Sequence, residues 1–402
     1  ASATSGRARV FTSCWTWKDG CVGPKPSMAP DPAGEAIGGV ERGNLKRGEA
    51  CPVSPIRVLV VDDSAFMRQI IARMLEKDPE ICVVGVARDG LDAINKLERL
   101  SPDVLTLDLE MPKMDGLEFL TRVMGARPIP VVVVSSWATA GAEKTMRALE
   151  LGAIDFVTKP VAFPSEAMLE IAEELVGKVK TAARANLAPK TAEAEGRISL
   201  PPGVRGIASE AALCCIAAST GGPRALQGIL AKLPPDFPLP ILFVQHMPPG
   251  FTRVFAERLA SQANLAVREA ADGEVPNPGQ VLIAPAGLQT RVTGSPGHLR
   301  LRVGPEPNLV YRPSADVTFS SIAESCGAKA MGVILTGMGQ DGARGLLSMR
   351  KAGAATLAES AETCVIHGMP RAAVELGAAQ LVLPLWEIPE AILALTGIDG
   401  KK

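Results

Sequence analysis

Residues 56–63 read Ile-Arg-Val-Leu-Val-Val-Asp-Asp, an apolar run that ends in two carboxylates. From Ser64 to Lys77 the apolar residues return at intervals of three and four, which predicts an amphipathic helix. A short buried strand followed directly by a helix is the repeating unit of a doubly wound parallel sheet. This stretch therefore predicts an α/β fold for the first half of the chain.

The strand and helix unit recurs four more times before residue 180. Further strands are predicted at residues 81–87, 104–108, 131–135 and 155–157. The helices begin near residues 90, 116 and 142, and the last runs from about 165 to 179. These alternating units predict one five-stranded parallel sheet, and functional groups in such a sheet lie at the carboxyl ends of the strands.

A second α/β series follows. Its strands are predicted at residues 213–217, 241–244, 281–284 and 330–335. Its helices are predicted near residues 223–233, 252–261, 316–326 and 342–352. Residues 290–294 and 299–303 flank a turn rich in Gly and Pro, which predicts a hairpin. The second half is therefore expected to be a Rossmann-like parallel sheet with a small antiparallel addition.

These patterns divide the chain into four parts. Residues 1–54 show neither the helical nor the strand periodicity of apolar residues and are expected to be a disordered extension. Residues 55–184 are expected to form the first domain. Residues 185–211 mix Ala, Pro, Glu, Gly and Ser, a composition typical of a linker. Residues 212–397 form the second domain.

Composition excludes several classes of protein. The 42 Lys and Arg residues nearly cancel the 43 Asp and Glu residues, so no bulk field recruits nucleic acid or an anionic membrane. No apolar stretch approaches the ~18 residues that a membrane span needs, so a soluble, cytoplasmic protein without direct membrane insertion is expected. Cys214 and Cys215 lie in an apolar run and are interpreted as core residues, and Cys14 and Cys21 have no second ligand pair nearby.

Three carboxylates are predicted to meet at one edge of the first sheet. Asp62, Asp63 and Asp108 fall at or just after strand ends. Oxygen ligands of this kind suit Mg²⁺, which binds a few carboxylates together with water and phosphate oxygens. Ser135 and Lys159 end two neighbouring strands and could bind the oxygens of a phosphoryl group.

These residues resemble the receiver domain of bacterial response regulators. The matching segments are VVDDSAFM at 60–67, LDLEMPKMDGL at 107–117, residues 134–136 and GAIDFVTKP at 152–160. The resemblance implies Asp108 as the phosphate acceptor, a Mg²⁺ ion held by Asp62, Asp63, Asp108 and the Glu110 carbonyl, and Ser135 and Lys159 as phosphoryl sensors. Phe156 stands where many receivers carry Tyr.

The second domain carries a nucleophile, a base and a carboxylate after successive strands. Ser219 precedes Thr-Gly-Gly-Pro at a strand-to-helix turn, His246 follows the next strand, and Asp341 follows the strand at 330–335. A neutral serine hydroxyl needs an imidazole to accept its proton, and a carboxylate must hold that imidazole. His298, in the hairpin turn, is expected to face solvent. His367 stays a rival base because its loop could border the site.

Three segments of this domain resemble the chemotaxis protein-glutamate methylesterase family. They are STGGP at 219–223, VQHMP at 244–248 and LTGMGQDGARG at 335–345, behind a receiver. The resemblance implies Ser219, His246 and Asp341 as the catalytic triad, and backbone N–H groups near the nucleophile and at Met338 for the oxyanion. It also implies methylated glutamates of chemoreceptors as substrates, deamidation of receptor glutamines, a histidine kinase as phosphodonor, and no metal in the hydrolase.

Other functions are compatible with parts of this pattern. A phosphorylation-regulated serine hydrolase of a non-chemotaxis pathway, or a general protease or lipase, would use the same triad. A regulator that binds DNA would need a basic recognition helix, and the sequence has no such cluster of Lys and Arg. A phosphate sink with an inert output domain would not need Ser219, His246 and Asp341.

Overall fold

The computed structural model describes residues 54–136, 139–159, 165–187 and 208–398. They form a five-stranded parallel sheet, a seven-stranded parallel sheet and a two-stranded antiparallel hairpin, which confirms the predicted fold class. Within these ranges no helix combines the length and the apolar character needed to cross a bilayer. Residues 1–53 of the predicted extension at 1–54 and most of the predicted linker at 185–211 lie outside the described residues.

The first sheet has the order β2-β1-β3-β4-β5. Its strands are β1 (Ile56–Val61), β2 (Ile81–Ala87), β3 (Val104–Leu107), β4 (Val131–Ser135) and β5 (Asp155–Thr158), and its helices are α1 (Ala65–Leu75), α2 (Gly90–Leu100), α3 (Gly116–Ala126), α4 (Thr139–Glu150) and α5 (Ser165–Ala182). The order changes direction between β1 and β3, which opens a crevice beyond their carboxyl ends.

The loop after β3 is tightly closed. A side chain at Gly116 would clash with the backbone of Asp108 and Leu109, so this turn requires a residue without a Cβ. Asp115 caps α3 by accepting a hydrogen bond from the Glu118 N–H at 2.8 Å. The helix start therefore lies directly against the segment that carries Asp108.

The second sheet has the order β14-β13-β12-β6-β7-β9-β8. Its strands are β6 (Leu213–Ala218), β7 (Ile241–Gln245), β8 (Ala266–Glu269), β9 (Gln280–Ile283), β12 (Ala330–Ile334), β13 (Ala355–Glu359) and β14 (Leu381–Leu383), and the hairpin is β10 (Gln289–Thr293) with β11 (Arg300–Gly304). Its helices are α6 (Gly222–Leu230), α7 (Phe251–Ala260), α8 (Ala315–Cys326), α9 (Ala343–Lys351), α10 (Met369–Glu375) and α11 (Ile388–Leu395). The direction of the order changes between β6 and β12.

The core of the second sheet is almost completely apolar. The side chains of β6, including Cys214 and Cys215, are fully buried, and these two thiols belong to hydrophobic clusters on opposite sheet faces. Burial raises the pKa of Cys214 to about 12. Both cysteines are therefore core residues, as predicted, and are inert as nucleophiles.

The two sheets are joined by contacts between α4 and the helices α6 and α7. Arg258 of α7 forms a bidentate ion pair with Glu150 at the end of α4. The ring of Phe156 in β5 stacks on that of Phe251 in α7 with centroids 4.6 Å apart. Charged and aromatic contacts thus hold the first domain against the second.

Candidate active site and phosphoryl-acceptor pocket

The three predicted triad residues lie at one edge of the second sheet. Ser219 follows β6 directly, His246 follows β7, and Asp341 lies in the segment between β12 and α9. Since β6 pairs with both β7 and β12 in parallel register, their carboxyl ends meet. The site occupies the crevice at the change of strand direction, where open α/β sheets bind ligands.

His246 and Asp341 are hydrogen-bonded to each other. The distance between His246 Nε2 and Asp341 Oδ2 is 2.8 Å, and both side chains are largely buried. When the neutral imidazole donates from Nε2 to this carboxylate, its lone pair is on Nδ1. The Asp341 bond therefore selects one tautomer of the ring.

Asp341 is held at the N-terminus of α8. Its Oδ2 accepts a hydrogen bond from the Ala315 N–H at 2.7 Å, and its Oδ1 accepts from the Ser314 hydroxyl at 2.8 Å and from the Asp316 N–H at 3.1 Å. Burial raises the pKa of Asp341, but His246 and the two backbone donors outweigh it, so the pKa is lowered. The carboxylate is therefore ionised and fixed in direction.

Ser219 is fixed through its backbone. Its N–H donates to the Thr336 carbonyl at 3.0 Å, and its own carbonyl accepts from Gly222 N–H at 2.8 Å. The buried Gln245 Nε2 also donates to the Ser219 carbonyl at 2.8 Å and to the His246 carbonyl at 3.2 Å. The Gln245 side chain thus joins the loops that carry Ser219 and His246, and both of these residues line the same cleft of about 590 Å³.

Met338 lines the same cleft as Ser219 and His246. Its side chain is half exposed, and the Thr181 hydroxyl of α5 lies 3.0 Å from its sulfur. A side chain at the preceding Gly337 would lie 2.9 Å from the Ser219 Cβ, so the backbone of this turn approaches Ser219 closely. The predicted oxyanion role of the Met338 N–H stays a prediction.

The other two histidines lie elsewhere. His298 is exposed in the turn between β10 and β11, as predicted. His367 pairs through its backbone with Gly337 and lines a second cavity with Met338 and Arg371. Burial and the nearby Arg371 lower the pKa of His367. Trp137, interpreted from the sequence as a packing or surface residue, lies outside the described residues.

The three predicted carboxylates of the first domain are together. Oxygen atoms of Asp62, Asp63 and Asp108 lie within 4.8 Å of one another. Lys159 Nζ donates to Asp108 Oδ2 at 2.7 Å and lies 2.9 Å from Asp62 Oδ2. Burial, more than the attraction of Lys159, raises the pKa of Asp108, as expected for carboxylates crowded in one small volume.

This oxygen-only cluster fits a Mg²⁺ ion. Asp62 and Asp108 are buried, Asp63 is exposed, and a carboxylate pair that faces one lysine has anionic capacity left for a divalent cation. Glu110 donates its N–H to Asp108 Oδ1 at 3.2 Å, while its side chain pairs with Lys144 at 2.8 Å. The role of its carbonyl as a metal ligand stays a prediction.

Ser135 is directed towards α4 in this structure. Its buried hydroxyl accepts a hydrogen bond from Thr145 Oγ1 at 2.6 Å and donates to the Gly141 carbonyl at 3.2 Å. Thr145 lies on the same helix as Glu150, which pairs with Arg258 of the second domain. A sensor of phosphate at Ser135 would therefore act on the helix that contacts the hydrolase.

Comparison with known proteins identifies the family. The CheB methylesterase model matches residues 214–392, and the response regulator receiver domain model matches residues 58–172. The chain is 49% identical over 355 residues to the protein-glutamate methylesterase/protein-glutamine glutaminase of Symbiobacterium thermophilum, with 85% of this chain and 98% of that relative covered. The chain belongs to the CheB methylesterase family.

Other CheB-family proteins are similar over comparable lengths. A relative of the same name from Thiobacillus denitrificans is 46% identical over 352 residues, with 86% of this chain and 98% of that protein covered. The crystal structure of the Thermotoga maritima CheB methylesterase catalytic domain is 42% identical, covers 46% of this chain and 98% of that chain, and has a TM-score of 0.45.

The receiver of this CheB-family chain lies over the cleft of its hydrolase. Besides Ser219 and His246, the cleft is lined by Asp155, Glu174 and Lys178 of the receiver. Lys178 forms ion pairs with Asp155 at 3.1 Å and with Glu174 at 2.8 Å. Side chains of β5 and α5 therefore form one wall of the candidate active site.

Sequence reasoning missed several residues of this CheB-family site. Ser314 donates a hydrogen bond to Asp341, and Gln245 donates to the carbonyls of Ser219 and His246. Thr220 donates to Asp155, and the ring of Tyr311 stacks on that of His246. Each acts through a contact between segments far apart in the chain. Only Gln245 and Thr220 stood inside a recognised motif, and their roles depend on side-chain direction.

Proposed function

We propose that this chain is a phosphorylation-activated protein-glutamate methylesterase of chemotactic adaptation, which also deamidates receptor glutamines. The observation that carries the proposal is the hydrogen bond between His246 and Asp341 beside a cleft that His246 shares with Ser219. The CheB-family receiver and hydrolase domains occur together in this chain. Methylated glutamates in the cytoplasmic helices of chemoreceptors are the proposed substrates, and a histidine kinase the proposed phosphodonor in the cytoplasm.

The first chemical step is attack by the Ser219 hydroxyl on the ester carbonyl. The neutral imidazole of His246 takes the hydroxyl proton, and Asp341 stabilises the resulting imidazolium. Because Nε2 is bonded to Asp341, Nδ1 is the nitrogen proposed to accept this proton. The tetrahedral intermediate then collapses, the imidazolium returns the proton to the methoxy oxygen, and methanol leaves.

The second step is hydrolysis of the acyl-enzyme. His246 takes a proton from water, the hydroxide attacks the acyl carbon, and the proton passes to the Ser219 oxygen as the free glutamate is released. An amide substrate would release ammonia in the first step. The N–H of Ser219 donates to the Thr336 carbonyl and is therefore not free to bind the oxyanion. We propose that N–H groups of the following turn and of Met338 bind it instead. Each oxyanion donor is commonly worth ~10²-fold or more in rate.

The receiver is proposed to take a phosphoryl group on Asp108. Its carboxylate oxygen would attack the phosphorus of the kinase phosphohistidine, forming an O–P bond as the P–N bond breaks and the kinase imidazole leaves. Lys159, which donates to Asp108 at 2.7 Å, would then donate to the new phosphoryl oxygens. A Mg²⁺ ion held by Asp62, Asp63 and Asp108 would supply charge neutralisation for that transfer. Ser135 would turn from α4 to the phosphoryl group.

The unphosphorylated receiver is proposed to block large substrates. Asp155, Glu174 and Lys178 line the cleft, so a receptor helix cannot lie across Ser219 while the receiver is in place. Phosphorylation adds charge beside Ser135 and Thr145 of the α4 contact, and would move α4 away from Arg258. The family relationship and this covered cleft support regulation by release of the receiver.

The direct test measures methanol release from methylated receptor membranes, with and without a small-molecule phosphodonor. Wild-type chain is expected to release methanol and to be stimulated by the donor, whereas Ser219→Ala is expected to lose at least ~10³-fold in rate. Ser261→Ala, an exposed serine outside the cleft, is the matched control and should retain wild-type turnover. Undiminished release by Ser219→Ala would overturn the serine mechanism.

A further inference from the structure

Tyr311 lies face to face with the imidazole of His246. The ring centroids are 4.5 Å apart and the ring planes differ by 7°. Tyr311 is the single tyrosine of the chain, and 42% of it is exposed. The residue belongs to the segment between β11 and α8, far in sequence from both Ser219 and His246. No motif in the sequence pointed to it.

The segment that carries Tyr311 is anchored on both sides. Before it, Glu306 forms a bidentate ion pair with Arg291 of β10, at 2.8 and 2.9 Å. After it, the Arg312 carbonyl accepts a hydrogen bond from the Gly287 N–H at 2.9 Å. The tyrosine ring is therefore presented to the imidazole from a tethered backbone, and Tyr311 and His246 line the same cleft.

We propose that Tyr311 is a positioning residue of the methylesterase, whose ring fixes the plane of the His246 imidazole and covers one of its faces while the proton is transferred. This inference rests on the proposed function, because it assigns Tyr311 to the same proton transfer. Loss of the stacked ring is therefore expected to lower kcat rather than to raise KM.

The hydrogen bond to Asp341 cannot fix the imidazole alone. It directs Nε2 along one line, but the ring can still rotate about that line and turn Nδ1 away from the nucleophile. A stacked ring with a 7° difference in plane restricts this rotation. The electron-rich face of an aromatic ring also attracts the positive charge that forms on the imidazolium during transfer.

The phenol hydroxyl is not needed for this role. The stack with His246 uses only the ring face of Tyr311. Phenylalanine at this position would keep the stack, whereas leucine would remove the aromatic face at similar volume. Both changes are at a half-exposed site, so neither removes a buried core residue.

The first test compares Tyr311→Phe and Tyr311→Leu in the full chain with the phosphodonor present. Tyr311→Phe is expected to keep kcat within about 2-fold of wild type, and Tyr311→Leu to lose about 10-fold in kcat with KM changed less than about 2-fold. Asn308→Ala, in the same exposed segment, should match wild type. A rise in KM with kcat unchanged would overturn the proposal and make Tyr311 a substrate contact.

The second test does not depend on activity. The chain has three histidines, so ¹⁵N spectra of the ring nitrogens can be assigned with a His246→Gln variant. Wild type, Tyr311→Phe and Tyr311→Leu are all expected to show the tautomer protonated at Nε2, because Asp341 selects it, whereas Tyr311→Leu alone is expected to show His246 ring signals broadened by motion of the imidazole. His246 ring signals equally sharp in all three proteins would overturn the positioning role, even if Ser219→Ala confirmed the serine mechanism.

The two tests separate the failure of this inference from the failure of the proposed function. If Ser219→Ala retained wild-type methanol release, the serine mechanism would fall, yet the ¹⁵N ring signals would still report whether Tyr311 orders the imidazole. If Ser219→Ala were inactive and Tyr311→Leu matched wild type in kcat, only the assignment of Tyr311 would be wrong.

Discussion

Thr220, the residue after the candidate nucleophile, donates a hydrogen bond from its hydroxyl to the Asp155 carboxylate in β5 of the receiver. The Asp155 carboxylate also forms an ion pair with Lys178, whose Nζ lies 3.1 Å from Asp155 Oδ1. Both Thr220 and Asp155 are well shielded from water. The receiver thus holds the turn of the candidate nucleophile directly, one residue away from Ser219.

We predict that breaking this bond raises the methanol release of the unphosphorylated chain. Thr220→Val removes the donor at the same volume, and Asp155→Asn removes the charge of the acceptor. A hydrogen bond to a charged group contributes about 1.5 kcal/mol or more, so either change should raise the basal rate by roughly tenfold. Because both act through one contact, the double variant should gain no more than the larger single change.

The control for this pair is Glu118→Gln on α3, an exposed carboxylate that pairs with Arg122 at 2.6 Å. It should leave the basal rate unchanged. Additive gains in the double variant would show that Thr220 and Asp155 act separately, and a basal rate unaffected by Asp155→Asn would remove the contact from the inhibitory mechanism.

Asp108→Asn tests the phosphate acceptor. An amide cannot take the phosphoryl group, so stimulation by the phosphodonor should be lost while basal turnover is retained, because the cleft residues are untouched. The measurement is methanol release with and without the donor, together with incorporation of labelled phosphate. Glu98→Gln, exposed on α2, should be stimulated like wild type. Stimulation that survived in Asp108→Asn would show that another residue accepts the phosphate.

The strands that bear the site could be predicted because they are fully buried. The strands β6, β7 and β12 are continuous apolar runs, and a polar residue after such a run lies at a strand end. Parallel topology then brings Ser219, His246 and Asp341 to one edge. Strand order and topology therefore predict that these three residues lie near one another, but they do not predict the distances or hydrogen bonds between their side chains.

Several strands and one helix that the sequence did not predict lack a clear periodic pattern of apolar residues. The strands β8 and β14 are short edge strands, partly exposed, and α10 has seven residues, too few for a helical repeat to be evident. In β13, the buried Thr356 and Glu359 interrupt the apolar run. Glu359 Oε2 accepts from the Thr336 N–H at 2.8 Å, and such a long-range partner cannot be read from composition.

Ser314→Ala tests the support of Asp341, the carboxylate of the proposed triad. The Ser314 hydroxyl caps α8 by accepting from the Val317 N–H, and it donates to Asp341 at 2.8 Å. Loss of a serine cap costs about 1 kcal/mol in the free energy of unfolding. The freed carboxylate should also orient His246 less well, so kcat should fall several-fold, by about 3- to 10-fold for the ~1 kcal/mol of a hydrogen bond, with KM unchanged.

Ser64→Ala is the matched control for that variant. Ser64 caps α1 of the receiver through the same geometry, with the Met67 N–H at 3.4 Å from its hydroxyl, but it does not contact Asp341. A similar loss in the free energy of unfolding with basal kcat unchanged is expected. Equal effects of both substitutions on kcat would show that Ser314 acts through stability alone.

Asp341→Asn should lower both turnover and stability, with a defined dependence on pH. Turnover should fall by on the order of 10³-fold or more, because an amide cannot hold the reactive tautomer. The folded state keeps the Asp341 pKa below its usual 3.8, so the ionised carboxylate stabilises the fold above that pH. This contribution disappears as pH falls through the lowered pKa, since protonated Asp341 then resembles Asn.

Asp316, two residues along α8 from the cap, supplies a control of opposite sign. Burial, more than its hydrogen bonds from Gly345 and its neighbours, raises the Asp316 pKa above 3.8, so its charge costs stability at neutral pH. Urea unfolding from pH 3 to 7 should therefore show Asp341→Asn less stable than wild type and Asp316→Asn equal or more stable. The Asp341→Asn loss should shrink as pH falls from about 3.8 through the lowered folded pKa of Asp341, and the Asp316→Asn gain as pH falls from the raised folded pKa of Asp316 to about 3.8. A pH-independent loss in Asp341→Asn would mean that packing, rather than charge, explains it.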